Sequence, residues 1–369
     1  MLLANSGISA GDQLQAQVTY GYDSNPFKLS SPEGVQRDTQ FKSFKLQYQG
    51  DNRPQGSTQK GDLRYRLELH RDIYNHSSDA ASNWTLKGHL SWLERFKLGE
   101  RKANLRLSAD LGREANTYYS QTQGQIAQTG EGDLIGDRFG FDGAAVSAEL
   151  SYYLSKKTSW SLLSRYSQRN YRQDYAILGL EPLDYNEFRL QPGLRYKADS
   201  GLNTRLFVYQ RSRRYRGLQN NPQDDKSLVE YSLKGYGLVL SQPLNQRLHA
   251  SVYLSGYFAR DNGQGVRDLD AHKVTSTFKY QLASGADITL INQAYWRSYL
   301  DPQLSPEESE IGTPGRSRRG IMAEIIYSQP LLCNALRGSI ALSRQRERNS
   351  LDALSYQRST LVIGLRYEI

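Results

Sequence analysis

The sequence predicts an all-β chain: a single transmembrane antiparallel β-barrel of about sixteen strands. Three observations predict it. Apolar and polar residues alternate with period two from one end of the chain to the other. The connections between these segments are short and long by turns. Finally, only 38% of the 369 residues are hydrophobic and the mean hydropathy is −0.69, yet the chain holds 26 Tyr, 10 Phe and 4 Trp. A disordered chain would not be so aromatic. A soluble domain of this size would show apolar clusters, and none exceeds a few residues. No run of eighteen apolar residues exists, which excludes a transmembrane helix.

The segments follow in order. The first begins near Asp12 and covers residues 15–22, and the second begins near Thr39. The third, from Gly61, places Leu63, Tyr65, Leu67 and Leu69 on one face and Asp62, Arg64, Arg66, Glu68, His70 and Asp72 on the other. A helix would scatter those charges, whereas a strand sorts them. A fourth starts near Asn83. The fifth, from Arg101, sets Leu105, Leu107, Ala109 and Leu111 against Asn104, Arg106, Ser108 and Asp110. The sixth, from Gly143, sets Val146, Ala148, Leu150 and Tyr152 against Ser147, Glu149 and Ser151. After a seventh from Thr158, the eighth from Tyr185 sets Phe188, Leu190, Leu194 and Tyr196 against Glu187, Arg189, Gln191 and Arg195. Segments from Leu202 and Leu228 follow. The eleventh, from Gln246, sets Val252, Leu254 and Phe258 against Ser251, Tyr253, Ser255 and Tyr257. Segments from Ala271 and Asp287 come next. The fourteenth, from Arg318, sets Ile321, Ala323, Ile325 and Tyr327 against Gly320, Met322, Glu324 and Ser328. The last two begin near Ala335 and Gln357.

Short connections fall at 97–100, 155–157, 198–201, 242–245 and 283–286, and long ones at 23–38, 116–141, 170–184, 216–226, 260–270 and 300–315. Residues 51–60 break the alternation, with a long connection where a short one is due. An even strand number puts both termini on the short-turn side, expected to be periplasmic. Lipid tolerates no unpaired backbone N–H, so the first strand should pair with the last, around residues 360–369. Residues 1–369 are then one barrel domain, with residues 1–11 as an N-terminal periplasmic segment. The opening residues carry neither a basic n-region nor an apolar h-region, which fits a removed signal peptide or a truncated start. Ile8-Ser9-Ala10 is compatible with a cleavage site. Trp84, Trp92, Tyr152, Trp160, Tyr196, Phe258, Tyr280, Trp296, Tyr327 and Tyr367 are expected to form two aromatic girdles.

The single cysteine, Cys333, excludes an internal disulfide framework and a multi-cysteine metal site, and reads as a buried or turn thiol. His70, His89 and His249 project inward, but no catalytic or metal constellation is legible around the five histidines. No phosphate-cradling glycine loop is present. The chain is therefore expected to be neither an enzyme nor a cofactor protein.

The net charge is +9. Basic residues outnumber acidic ones on the inward face. The excess gathers on strands seven to nine as Arg165, Arg169, Arg189, Arg195, Lys197, Arg205, Arg211 and Arg213, with Glu187 as the main counter-charge. The planar guanidinium suits carboxylate and phosphate. Tyr209, Tyr253, Tyr257 and Tyr295 share the inward face and offer stacking surfaces. Because basic residues alternate with lipid-facing apolar ones, no outer basic patch and no nucleic-acid partner are expected. A ladder of charges that merely orders a wet lumen is the plainer reading of the same residues.

Two stretches carry resemblances. Gly364, Leu365, Tyr367 and Ile369 resemble the C-terminal assembly signal of bacterial outer-membrane proteins, with Ile where Phe is usual. That resemblance implies an outer-membrane location in a Gram-negative cell and recognition by the barrel-assembly machinery. Residues 20–29, Tyr-Gly-Tyr-Asp-Ser-Asn-Pro-Phe-Lys-Leu, resemble the opening of the putative β-barrel porin family associated with exopolysaccharide and capsule operons. It implies transport: export of an anionic polysaccharide, or an anion-preferring porin. The alternative is a structural or anchoring barrel that binds a periplasmic or surface protein partner. Outer-membrane lipid and lipopolysaccharide are expected neighbours in either case. The loop at 116–141, rich in Gly, Gln and Thr, suits an inward constriction or an outward contact surface.

Overall fold

The computed structural model describes residues 12–25, 39–51, 61–75, 82–116, 140–171, 184–221, 225–262, 268–299, 317–333, 335–350 and 355–369. Residues 1–11, Pro26 to Leu29 of the opening motif, His76 and most of the 51–60 and 116–141 connections lie outside them.

Sixteen strands follow one another: β1 (Gln13–Asp23), β2 (Thr39–Asp51), β3 (Gly61–Tyr74), β4 (Asn83–Leu98), β5 (Arg101–Asn116), β6 (Phe141–Tyr153), β7 (Thr158–Tyr171) and β8 (Tyr185–Lys197). Then come β9 (Asn203–Asn221), β10 (Asp225–Pro243), β11 (Leu248–Asp261), β12 (Leu269–Gln281), β13 (Asp287–Tyr299), β14 (Ser317–Pro330), β15 (Leu336–Asn349) and β16 (Tyr356–Glu368). Each pairs antiparallel with its neighbours, and β1 pairs with β16, so the sheet is a closed barrel. The closing register runs from Gln15 opposite Glu368 to Asp23 opposite Thr360, and Leu14 and Ile369 exchange backbone hydrogen bonds of 2.9 Å. With the ring complete, no strand edge is left to lipid. The even number brings the start of β1 and the end of β16 to the rim that carries the short turns.

Turn chemistry explains the short connections. Gly99 (φ +62°) starts the two-residue link from β4 to β5. Gly201 and Gly285 occupy equivalent places in two five-residue turns. In each, the glycine N–H donates 3.1 Å to the first residue's carbonyl, Ala198 or Leu282. Their φ values of +84° and +80° suit glycine because it lacks a Cβ. Elsewhere a side chain substitutes: Asn245 Oδ1 accepts from the Arg247 and Leu248 amides, and Ser155 Oγ from those of Lys157 and Thr158. Cys333 is exposed in the turn between β14 and β15.

The outer wall is apolar and the inner wall polar. Leu111 is 67% exposed and Ile321 62%, and they share the outer face with Leu69, Leu90, Val146, Val208 and Ile363. So continuous an apolar surface is covered only by a membrane. Its aromatic ends follow strand parity. Tyr152, Trp160, Tyr196, Tyr280, Tyr327 and Tyr367 lie toward the short-turn rim, and Trp84, Phe258 and Trp296 toward the long-loop rim. Leu365, Tyr367 and Ile369 are exposed on the outer face, while Gly364 faces inward, where a Cβ would come 2.8 Å from Thr19 Cγ2.

Two expectations need correction. Residues 216–226 are not simply a long loop, since β9 runs on to Asn221 and β10 begins at Asp225, with register shifts between Asp225 and Glu230. Backbone pairing continues there because the hairpin closes itself and needs no alternating pattern once beyond the apolar zone. The second concerns the outer wall. Arg344, Arg346 and Arg348 occupy the same face of β15 as Ile340 and Leu342, and Arg319 joins them from β14. Basic residues therefore do form an outer patch. The alternation that sends charge inward holds only over the apolar zone and reverses above it.

Candidate functional site: the basic wall of the lumen

Strands β7, β8 and β9 present their odd-numbered residues to the lumen. Along the β8–β9 seam the directly opposite pairs are Tyr185–Tyr215, Glu187–Arg213, Arg189–Arg211, Gly193–Phe207, Arg195–Arg205 and Lys197–Asn203. On the other side of β8, Arg165 stands opposite Arg189 and Arg169 opposite Tyr185. One cross-strand row therefore carries Arg165, Arg189 and Arg211 abreast. Six residues further along β8, about 20 Å at strand rise, Arg195 and Arg205 form a second basic row.

Counter-charges sit at the flanks of the first row. Glu187 Oε2 accepts from Arg213 Nε (2.9 Å) and Nη2 (2.8 Å), and Glu187 Oε1 lies 3.5 Å from Arg211 Nη1. Arg165 Nη1 reaches Asp110 Oδ2 at 2.8 Å, and the other Asp110 oxygen lies 2.6 Å from His89 Nδ1. Glu149 lies between Arg106 and Arg205, 3.8 Å from each. Arg189, in the middle, has no carboxylate partner among the described residues. It donates to Gln191, and its guanidinium carbon stands 4.2 Å over the Tyr209 ring. Among the described residues, the Nε groups of Arg189 and Arg211 are buried without a hydrogen-bond partner.

Aromatic rings pave the wall. Arg213 stacks on Tyr185 at 4.1 Å and Arg169 on Phe141 at 4.2 Å, while Arg205 lies 5.6 Å from the Phe207 centroid. Phe207 and Tyr209 lie flat because β10 opposes them with Gly237 and Gly235, where a Cβ would collide with each ring. Cation–π geometry holds a guanidinium without neutralising it. The wall thus fixes the arginines in position and leaves positive charge facing the lumen.

All eight basic residues predicted from the sequence lie on this inner wall, and all four tyrosines face inward, three of them near the wall and one apart from it. Tyr209 is in the ladder. Tyr257 faces Gly235 from β11, and Tyr253 lies opposite Val239 on the same strand. Tyr295 belongs elsewhere, spanning Gly320 on β14 to donate to Glu347 on β15. Sequence reasoning missed Phe141, Tyr171, Tyr185, Phe207 and Tyr215, although parity alone places each inward beside an arginine. At the short-turn end a polar recess of about 640 Å³ is lined by residues that include Arg64, Arg66, His89, Arg106 and Glu149.

No family profile matches the sequence, and no curated protein is similar to it. Solved structures with this fold exist. Against the outer membrane protein OpdK from Pseudomonas aeruginosa the TM-score is 0.52 at 11% identity, over 98% of this chain and 100% of that one. Against OccK1 (OpdK) from the same organism it is 0.49 at 9% identity, over 98% and 99%. Against a bacterial polysaccharide outer membrane secretin it is 0.45 at 8% identity, over 98% and 99%. The likeness is one of fold: the chain has the architecture of a bacterial outer-membrane β-barrel.

Proposed function

We propose that the chain is a conduit of the bacterial outer membrane that conducts an anionic solute along its basic wall, with no catalytic step. The long loops face the exterior and both termini the periplasm. The observation that carries this reading is the row Arg165, Arg189, Arg211. Like charges directly opposite on a sheet destabilise it, and this row holds three, with carboxylates only at its flanks. An anion in the lumen offsets that repulsion. The Tyr209, Phe207 and Tyr185 rings are covered by guanidinium groups and hold that charge toward the lumen, so the solute class favoured is a carboxylated or phosphorylated one, exported as an acidic polysaccharide or taken as small anions.

Glu187 supports a second reading. Its grip on Arg211 and Arg213 is what a self-contained charge ladder in an anchoring barrel would show. Reversal potential in planar bilayers under a tenfold KCl gradient separates the two. The conduit reading expects the sign set by chloride permeation. A potential near zero, or of the cation sign, overturns it.

A further inference from the structure

The outer wall carries a built surface that conduction does not use. Near the long-loop rim, several outward basic residues have carboxylates at hand: Arg113 with Asp142, Arg214 with Glu230, Arg216 with Asp184, Arg260 with Asp268 and Asp270. Arg319, Arg344, Arg346 and Arg348 form no ion pair among the described residues; Lys42, Arg71 and Lys234 also face outward without one, but these four lie together on two adjacent strands. Three of them climb one face of β15 at about 7 Å per step, starting two residues above the apolar Leu342. Arg348 stands directly opposite Arg319, Arg346 opposite Ile321 and Gln357, and Arg344 opposite Ala323 and Ser359.

Beside this ladder the wall is hollowed. A depression of about 520 Å³ runs from β12 to β16, lined by the small or polar Ser276, Asn292, Ala294 and Ala323 and closed by Arg344 and Arg346. Trp296, stacked on His272 at 5.4 Å, is the neighbour of Arg319 and bounds the patch on its β13 side. Below the depression the surface is uniformly apolar, through Ile325, Leu342 and Leu361.

We infer that this face holds one molecule of an acylated, phosphorylated glycolipid, the lipid A portion of lipopolysaccharide, from the leaflet on the long-loop side. The argument is charge complementarity placed at the right height. Four guanidinium groups exposed at a membrane interface, with no counter-ion among the described residues, are favourable beside anions, and phosphate takes two parallel hydrogen bonds from each. Their separation along β15 suits a headgroup with phosphates at both ends rather than a single phosphodiester. The hollow beneath Arg344, whose lining also includes Val274 and Ile321, gives an acyl chain room directly below the arginines.

The test uses the full-length barrel in detergent, with native mass spectrometry and thermal melting against three probes: bisphosphorylated hexa-acyl lipid A, the same lipid without phosphates, and phosphatidylglycerol. One bisphosphorylated lipid A is expected per barrel, with binding at least about tenfold weaker after loss of either phosphates or arginines (R319Q/R344Q/R346Q/R348Q). Ala323→Trp, which fills the hollow and keeps all charge, should weaken it too, and the lysine version (R344K/R346K/R348K) should restore part of it. These two variants decide the matter if the glutamine variant does not fold. Equal binding by wild type and variants overturns the inference. So does phosphatidylglycerol binding as tightly as lipid A, or a barrel dimer lost on substitution, which would make a second copy the occupant.

Discussion

Arg358 on the last strand grips Asp23 on the first. Its Nε lies 3.1 and 2.9 Å from the two Asp23 carboxylate oxygens, and Nη2 donates to Oδ2 as well. Asp23 is fully buried, Tyr74 adds a hydrogen bond at 3.4 Å, and the carboxylate also accepts from the Asn25 amide. The pair ties the two ends of the chain across the seam that closes the ring.

Removing one partner leaves a buried charge without its counter-charge, a loss of about 3–5 kcal/mol. Asp23→Asn and Arg358→Gln should each lower stability against denaturant on that scale. The double variant should cost clearly less than the sum, because the two act on one interaction. Additive losses in equilibrium unfolding would show that the seam does not depend on this pair.

Gly235 tests how the wall is paved. Tyr209 lies against it and supports Arg189 at 4.2 Å. Gly235→Val should push the ring into the lumen, lower single-channel conductance and destabilise the barrel by about 1–3 kcal/mol through overpacking. Gly99→Val, at a positive-φ turn with open space around it, should also destabilise but leave conductance unchanged. Identical conductance in wild type and Gly235→Val would place Tyr209 outside the conducting path.

The barrel was legible because lipid outside and water inside impose period two on each strand, so residues such as Leu67 and Glu68 declare their faces by parity. The extent of β9 and β10 was not, since the sequence of 216–226 holds Gly217, Asn220 and Pro222, typical of turns, while Asn221 still pairs with Asp225 and Gln219 with Leu228. Parity also put all eight basic residues on the inner wall. It could not say which residues stand together in one row, so that Tyr295, inward as expected, spans to Glu347 rather than to the basic wall. The outer arginines were readable from β15, where Ile340 and Leu342 set the parity that Arg344, Arg346 and Arg348 continue.

Glu187 is the counterweight of the wall. Glu187→Gln removes the acceptor of Arg211 and Arg213, whose charge-assisted bonds are worth about 1.5–3 kcal/mol. The variant should melt at lower temperature in detergent and select anions more strongly than wild type. A shift toward cations would mean that the electrostatics of the lumen are set elsewhere.

Replacing Arg189, Arg205 and Arg211 together by Gln separates transport from support. These side chains face the polar lumen, so the substitutions expose no charge to lipid and the ring of backbone hydrogen bonds stays intact. If they guide an anion, selectivity shifts toward cations while the melting temperature changes little, because Arg189 has no carboxylate partner among the described residues and Arg205 shares Glu149 at 3.8 Å with Arg106. Only Arg211 gives up a closer contact, 3.5 Å to Glu187, which Arg213 still occupies. The wild-type preference should also weaken in salt, as the Debye length falls from about 10 Å at 0.1 M to about 3 Å at 1 M. A ladder held by internal pairing behaves in the opposite way: the triple variant melts earlier and its reversal potential stays put. Measuring both on the same protein decides between them, and an unchanged reversal potential with a lowered melting temperature would make the arginines structural and favour the anchoring barrel.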